Sequence, residues 1–219
     1  MAYDFDTIAK HYDRMNHLMT LGMDRRWRRH AVRRLALAAG GEVLDVACGT
    51  GDMVVVLQKQ GARVTGVDLS EAMLALARRK VGAGATLRQG DAEALPFEEA
   101  LFDAVTCAFG VRNFVHLDRG LSEMARVLRA GGQMLILEMA TPDAGWVRPF
   151  YNFYTRRVIP MMGKRLAGNR EAYSYLPASI ERFPKGEALL QRLAAVGIEA
   201  CQKQYFFGVC RCYLGTKIR

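Results

Sequence analysis

No stretch of this chain approaches the ~18–20 consecutive apolar residues of a membrane-spanning helix. Its start, MAYDFDTIAKHYD, carries acids where a secretory leader would carry an apolar core. Cysteine is sparse and irregularly spaced, at 48, 107, 201, 210 and 212, which does not suit a disulfide framework. Nor do His11, His17, His30 and His116 form a ligand-spaced set with those cysteines, so no metal is expected. Cys210-x-Cys212 reads as alternation on an edge strand rather than a redox pair. A reducing, cytoplasmic setting follows from this cysteine usage. Internal repeats and low-complexity segments are absent as well. Acid is the scarcer charge, with 22 Asp and Glu against 31 Lys and Arg, a net of +9. Such a balance favours an anionic partner, whether nucleic acid, a membrane surface or an acidic substrate. Nucleic acid is not expected: no binding motif accompanies the charge, and the best-patterned loops are acidic.

What is present is a globular composition, 51% apolar and 24% charged, in 219 residues, enough for one domain with a sizeable core. Strand-like runs fall at 42–47 (EVLDVA), 63–68 (RVTGVD), 86–91 (TLRQGD), 102–109 (FDAVTCAF) and 133–139 (QMLILEM). Helical patterns lie between them at 52–60, at 71–81 after a Ser70 cap, and at 117–128 before Gly131-Gly132. This alternation predicts an α/β fold, a parallel sheet with helices on both faces. Residues 1–40 read as helices, 141–184 as a long insertion after the fifth strand, and 187–196 as a helix followed by two edge strands around YFFGVCRCYLGT.

The informative stretch is VLDVACGTGD (43–52), a glycine turn at the carboxyl end of the first strand, where open parallel sheets bind ligands. Gly49 and Gly51 let the backbone come close to a ligand. A dinucleotide site usually adds a third glycine three residues on, but here Val54 holds that place and Asp52 opens the helix. Together with Asp45, this acid would repel a pyrophosphate and attract a cation. S-adenosyl-L-methionine (SAM), with a sulfonium and an ammonium and no phosphate, fits. Asp68 at the end of the second strand suits the ribose hydroxyls, Leu69 an adenine face, and Asp91 of GDAEALPF the adenine amino group. A strand-end Asp alone is more often a turn or cap residue. The ordered set of acid, glycine turn, acid and acid is more specific.

The chain also resembles the ubiquinone/menaquinone biosynthesis C-methyltransferases nearly end to end. YDRMNHLMTLGMDRRWR (12–28), VLDVACGTGD, GVDLSEAML, GDAEALPF, AFGVRN, RVLRAGGQMLILE (126–138) and YSYLPASIERFP (173–184) stand in family order. Thr20, Asp24, Ala108, Ala130 and Ala140 depart from the usual family residues without removing an expected chemical group. The resemblance implies the class I SAM-dependent methyltransferase fold: a Rossmann-like seven-stranded sheet with helices on both faces and a C-terminal antiparallel strand. It further implies SAM contacts at Thr50, Asp68, Asp91, Ala92 and Ala108. It implies methylation of a ring carbon of a prenylated quinol, with another small aromatic substrate as the alternative.

Carbon methylation needs positioning, water exclusion and a route for a proton. Arg112 and Asn113 of AFGVRN follow the fourth strand; Arg112 suits charge stabilisation and Asn113 the fixing of a hydroxyl. The resemblance adds Tyr12. For Arg112 the competing reading is a structural salt bridge, and for Tyr12 ordinary packing. A helix drawn over 25–39 places Arg25, Arg26, Arg29 and Arg33 on one arc and Trp27, Ala31, Leu35 and Ala38 opposite. The insertion adds Trp146, Phe150, Tyr151, Phe153, Tyr154, Tyr173, Tyr175 and Phe183 beside Arg156, Arg157, Lys164 and Arg165. Both segments suit a lid over an apolar substrate and peripheral contact with an anionic membrane surface, at the inner face of the cell membrane. Self-association into a homodimer is left open.

Overall fold

The computed structural model describes residues 9–162 and 170–218; within them the side chains of 9–12, 14 and 170–175, and with them those of Tyr12, Tyr173 and Tyr175, lie outside the description, as do Lys164 and Arg165. Seven strands form one sheet in the order β3-β2-β1-β4-β5-β7-β6. They are β1 (Glu42–Val46), β2 (Arg63–Asp68), β3 (Ala85–Gln89), β4 (Phe102–Ala108), β5 (Leu128–Met139), β6 (Ile198–Tyr205) and β7 (Cys210–Lys217). Pairings among β1 to β5 are parallel, and β7 runs antiparallel to both β5 and β6. The expected seven-stranded sheet with an antiparallel C-terminal strand is therefore observed. One detail is corrected. β7 is an interior strand, so Cys210 and Cys212 lie in the sheet interior, fully buried and free, and only β6 is an edge.

Side-chain alternation along each strand feeds a core on each face. Leu44, Val46, Val105, Met134 and Ile136 point to one side, where they meet α5 (Leu117–Val127) and α8 (Glu187–Ala195) through Leu121, Met124, Leu189 and Leu193. Val43, Ala104, Leu135, Leu137 and both β7 cysteines point to the other. There they pack with α2 (Met23–Val32), α3 (Asp52–Gln58) and α4 (Glu71–Val81) through Trp27, Ala31, Leu57 and Leu74. α4 starts where its cap predicts, with Ser70 Oγ accepting from Met73 N at 3.1 Å.

α1 (Ala9–Met19) and α2 lie beside the carboxyl-end turns. The helix expected over 25–39 stops at Val32, because Arg34 N and Leu35 N turn back to the carbonyls of Ala31 and Val32, three residues before. Arg25, Arg26, Arg29 and Arg33 are exposed and Trp27, Ala31 and Leu35 buried, as drawn, but Ala38 is exposed. After β5 come α6 (Arg148–Phe153), a π-helical turn at Tyr154–Val158, and α7 (Arg170–Arg182). β6 and β7 are joined by Phe206 and Phe207, both left-handed at φ 46° and 55°.

Candidate active site

Two cavities meet at the carboxyl ends of β1 and β4. The first, about 410 Å³, is lined by Gly49, Asp68, Leu69, Asp91, Ala92, Ala108 and Asn113 of the expected residues, with Ala47, Met73, Glu93, Phe109, Gly110, Phe114 and His116 among the others. Gly49 sits at φ 54°, and the space its Cβ would occupy is open. Asp68 shapes the turn from the neighbouring strand: Oδ2 accepts from Gly49 N at 2.8 Å and Oδ1 from Ser70 N at 2.9 Å. Asp91 Oδ1 accepts from Glu93 N at 2.8 Å. The other wall is strained. Ala47 and Phe109, at the ends of β1 and β4, both have positive φ, 52° and 63°. Gly110 is the residue that lets these ends approach, since a Cβ there would lie 2.7 Å from Ala47 Cβ.

Three of the expected cofactor residues, Asp45, Thr50 and Gly51, are absent from this lining. Gly51 packs against α4, where a Cβ would meet Val81 Cγ1 at 2.8 Å, so its glycine is explained by helix packing. Thr50 is buried and donates to Asp13 Oδ1 of α1 at 2.5 Å. Asp45 is 1% exposed and accepts from Thr106 Oγ1 of β4 at 2.7 Å, while its Oδ2 has no partner among the described residues. Burial, with Asp68 adding to it, pushes the Asp45 carboxyl up to about 7 against the pull of Thr106 and Arg28.

The second cavity, about 400 Å³, is walled almost wholly by apolar groups from four separated segments. Met19, Leu21 and Trp27 come from the N-terminal helices, Arg112 from the turn after β4, Trp146, Phe150, Tyr151 and Tyr154 from the insertion, and Phe206 and Phe207 from the β6–β7 turn. Phe109 lines both cavities, and the Arg28 guanidinium sits 4.9 Å from its ring centroid. Arg112 thus faces the second cavity and Asn113 the first. Arg112 is 9% exposed in its side chain and ion-paired at 2.7 Å with Glu138, itself buried, and it donates to Phe109 O at 2.6 Å. Nothing in the sequence pattern marked Glu138 beyond its place in an apolar strand. Asn113 Oδ1 is buried without a partner among the described residues.

A charge network ties the N-terminal helices to the glycine turn. Lys80 Nζ of α4 donates to Asp13 and Asp52, both at 2.6 Å, and to Thr50 at 3.0 Å. Asp24 of α2, buried, accepts from Arg28 at 2.5 Å and from Thr20 at 2.8 Å, and pairs with His17 at 2.9 Å. His17, Asp24 and Asp52 lie close enough to hold a metal among the described residues, but Arg28, with Nη1 at 2.5 Å from Asp24 and 3.8 Å from Asp52, already brings a cation to their carboxylates.

The first cavity fits SAM. Its volume is that of a small-molecule site. Its open backbone cradle at Gly49 and its acids Asp68, Asp91 and Glu93 suit a cationic nucleoside, and Leu69, Met73 and Phe114 supply apolar walls. Fold and cavity together define a class I SAM-dependent methyltransferase. Among solved structures, a SAM-dependent methyltransferase from Thermotoga maritima, described as a possible histamine N-methyltransferase, superposes with a TM-score of 0.72 at 20% identity over 97% of each chain. A methyltransferase of Haloferax volcanii, solved with its Trm112 activator, gives 0.73 at 16% identity over all of both chains. Residues 2–217 match the ubiE/COQ5 methyltransferase family, and the chain belongs to that family. It is 43% identical to the demethylmenaquinone methyltransferase of Thermus thermophilus, over 97% of this chain and 99% of that one. It is 42% identical to the ubiquinone/menaquinone biosynthesis C-methyltransferase of Geobacter sulfurreducens, over 97% and 86%.

Proposed function

We propose that the protein transfers the methyl group of SAM to a ring carbon of a prenylated quinol, demethylmenaquinol or its benzoquinol counterpart. The observation that carries this reading is the shared wall: an acid-lined cavity and an aromatic, apolar cavity meet at Phe109. SAM supplies an electrophilic methyl. The chain's residues supply position and charge. Asp68 and Asp91 hold the nucleoside, the Gly49 backbone lies along it, and Leu69, Ala92 and Ala108 form its apolar contacts. Asp45, Thr50 and Gly51 support the turn from beneath. On the substrate side a quinol that loses its phenolic proton gains electron density at the ring carbon. At the junction of the two cavities Asn113, from the cofactor side, binds a ring hydroxyl or a water with its buried oxygen, and Arg112, from the substrate side, holds positive charge. Tyr12 joins them by family resemblance.

In this reading residues 1–40 and the insertion 141–184 form the lid of a single domain, and the lid meets the membrane. Leu21, Trp146, Phe150, Phe153, Phe206 and Phe207 are all more than half exposed, beside the exposed arginines of α2. Large apolar side chains at exposed left-handed positions (Leu21, Phe206, Phe207) cost conformational energy that contact with acyl chains would offset. No helix among the described residues is long and apolar enough to cross a bilayer, which fits contact from one side. The test is side-by-side transfer of labelled methyl from SAM to demethylmenaquinol, the benzoquinol analogue and a catechol. Transfer to a prenylated quinol is expected; transfer to the catechol alone would replace this reading with that of a small-aromatic methyltransferase.

A further inference from the structure

Among the described residues, four with side-chain hydroxyls line the apolar cavity: Thr20, Tyr151, Tyr154 and Thr155. Three are committed. Thr20 Oγ1 donates to Asp24 or Asn16 O, Tyr154 Oη to Met19 O at 3.0 Å, and Thr155 Oγ1 to Tyr151 O at 2.9 Å. The fourth is different. Tyr151 Oη on α6 is buried and has no hydrogen-bond partner among the described residues. A buried hydroxyl without a partner is costly, and in a native cavity it marks a place where a ligand atom completes the bond.

We infer that Tyr151 is the residue that donates a hydrogen bond to a ring oxygen of the quinol and so orients the ring for methyl transfer. Its surroundings fix the direction of that bond. Burial, with Glu181 adding to it, pushes the Tyr151 hydroxyl up to about 12 despite the nearby Arg112. Tyr151 therefore stays protonated at neutral pH and acts as a donor rather than a base. Arg112 is already bound to Glu138 and to Phe109 O, so its charge is largely balanced inside the protein. The tyrosine hydroxyl beside it is the uncommitted donor for an oxygen that gains negative charge as the ring carbon is activated. The sequence offered no signal for this role, since Tyr151 is one of eight aromatics in the segment from Trp146 to Phe183.

The inference rests on the quinol reading above, and binding separates the two. The probes are a short-tailed prenylnaphthoquinol and the matching prenylnaphthalene without ring oxygens, titrated into SAM-product-loaded protein by quenching of Trp27 and Trp146, which both line the cavity. The wild type is expected to prefer the quinol about tenfold or more, and Tyr151→Phe to lose most of that preference. Because the hydroxyl has no partner to lose among the described residues, the variant is expected to keep its Tm and its SAM affinity, while kcat/KM for the quinol falls about tenfold or further. A quinol preference that survives in Tyr151→Phe, or that is missing from the wild type, overturns the inference. A Tyr151-dependent preference in a protein that transfers no methyl to any quinol would sink the proposed function and the orienting role with it, leaving only the hydrogen bond.

Discussion

Replacing Asp45 by Asn tests the electrostatic layer beneath the cofactor turn. The carboxyl is 1% exposed, has one donor, Thr106, and releases its proton near pH 7 instead of near the ordinary 3.8. The sign follows from proton counting. Between those two values the folded chain holds a proton that the unfolded chain has lost, so this group makes stability fall as pH rises. The slope approaches 1.4 kcal/mol per pH unit and the total is ~4 kcal/mol, reached above pH 7. Asn cannot ionise, so the variant loses this slope. Its amide leaves one donor poorly matched, which costs about 1–3 kcal/mol at every pH. Asp45→Asn is therefore expected to be less stable than wild type near pH 4.5 and more stable at pH 8. Comparing the two proteins removes the contributions of all other carboxylates. Urea denaturation at pH 4.5, 6, 7 and 8 measures the difference. If the two stability curves ran parallel, Asp45 would be ionised in the fold and the reasoning would be wrong.

Other perturbations have equally definite outcomes. Gly110→Ala places a Cβ 2.7 Å from Ala47 and 2.9 Å from Cys107 Sγ, and should cost about 1–3 kcal/mol in chemical denaturation and weaken SAM binding by calorimetry. Asp68→Asn removes the charge that holds Gly49 N and Ser70 N, and should weaken SAM at least tenfold in the same assay with little change in the quinol KM. Lys80→Ala leaves Asp13 and Asp52 without their shared cation, and hydrogen exchange should then speed up in α1 before it does in the sheet. Asp24 is buried and Asp52 half-buried, which raises a carboxyl, but Arg28 and their other partners outweigh this and hold both below the ordinary value. Their contribution is present above the unfolded carboxylate range and lost as pH falls through the folded values, so protection factors in α1, corrected for the slower intrinsic exchange in acid, should fall below about pH 4.

Much of the sheet was legible because strand and helix periods are local. β2 and α4 have the limits that alternation and the Ser70 cap predict. β5 begins at Leu128 rather than 133, since Arg129 to Gly132 look like a turn and form an irregularity between Leu128, opposite Phe102, and Gln133, opposite Ala104. β7 was placed at an edge because nothing local distinguishes an interior antiparallel strand from a bordering one. In the site, Gly49, Asp68 and Asp91 could be found because one turn follows each strand of a parallel sheet. The apolar cavity could not be assembled from sequence: its walls lie some 190 residues apart, and Leu21, Tyr151 and Phe207 share no pattern. Asp24 and Arg28 read as parts of a charged helix, yet both are buried, because the arginine-rich face of α2 turns outward and leaves this pair inside.

Phe109 is held at φ 63° with one side toward each cavity and a guanidinium on its ring. A partition of that kind makes the two occupants thermodynamically dependent. Any displacement of the ring that improves the fit of one ligand alters the room left for the other, and by linkage each must then change its neighbour's affinity by the same factor. If the ring shifts on binding, occupancy on the polar side would be felt on the greasy side without any larger rearrangement of the fold.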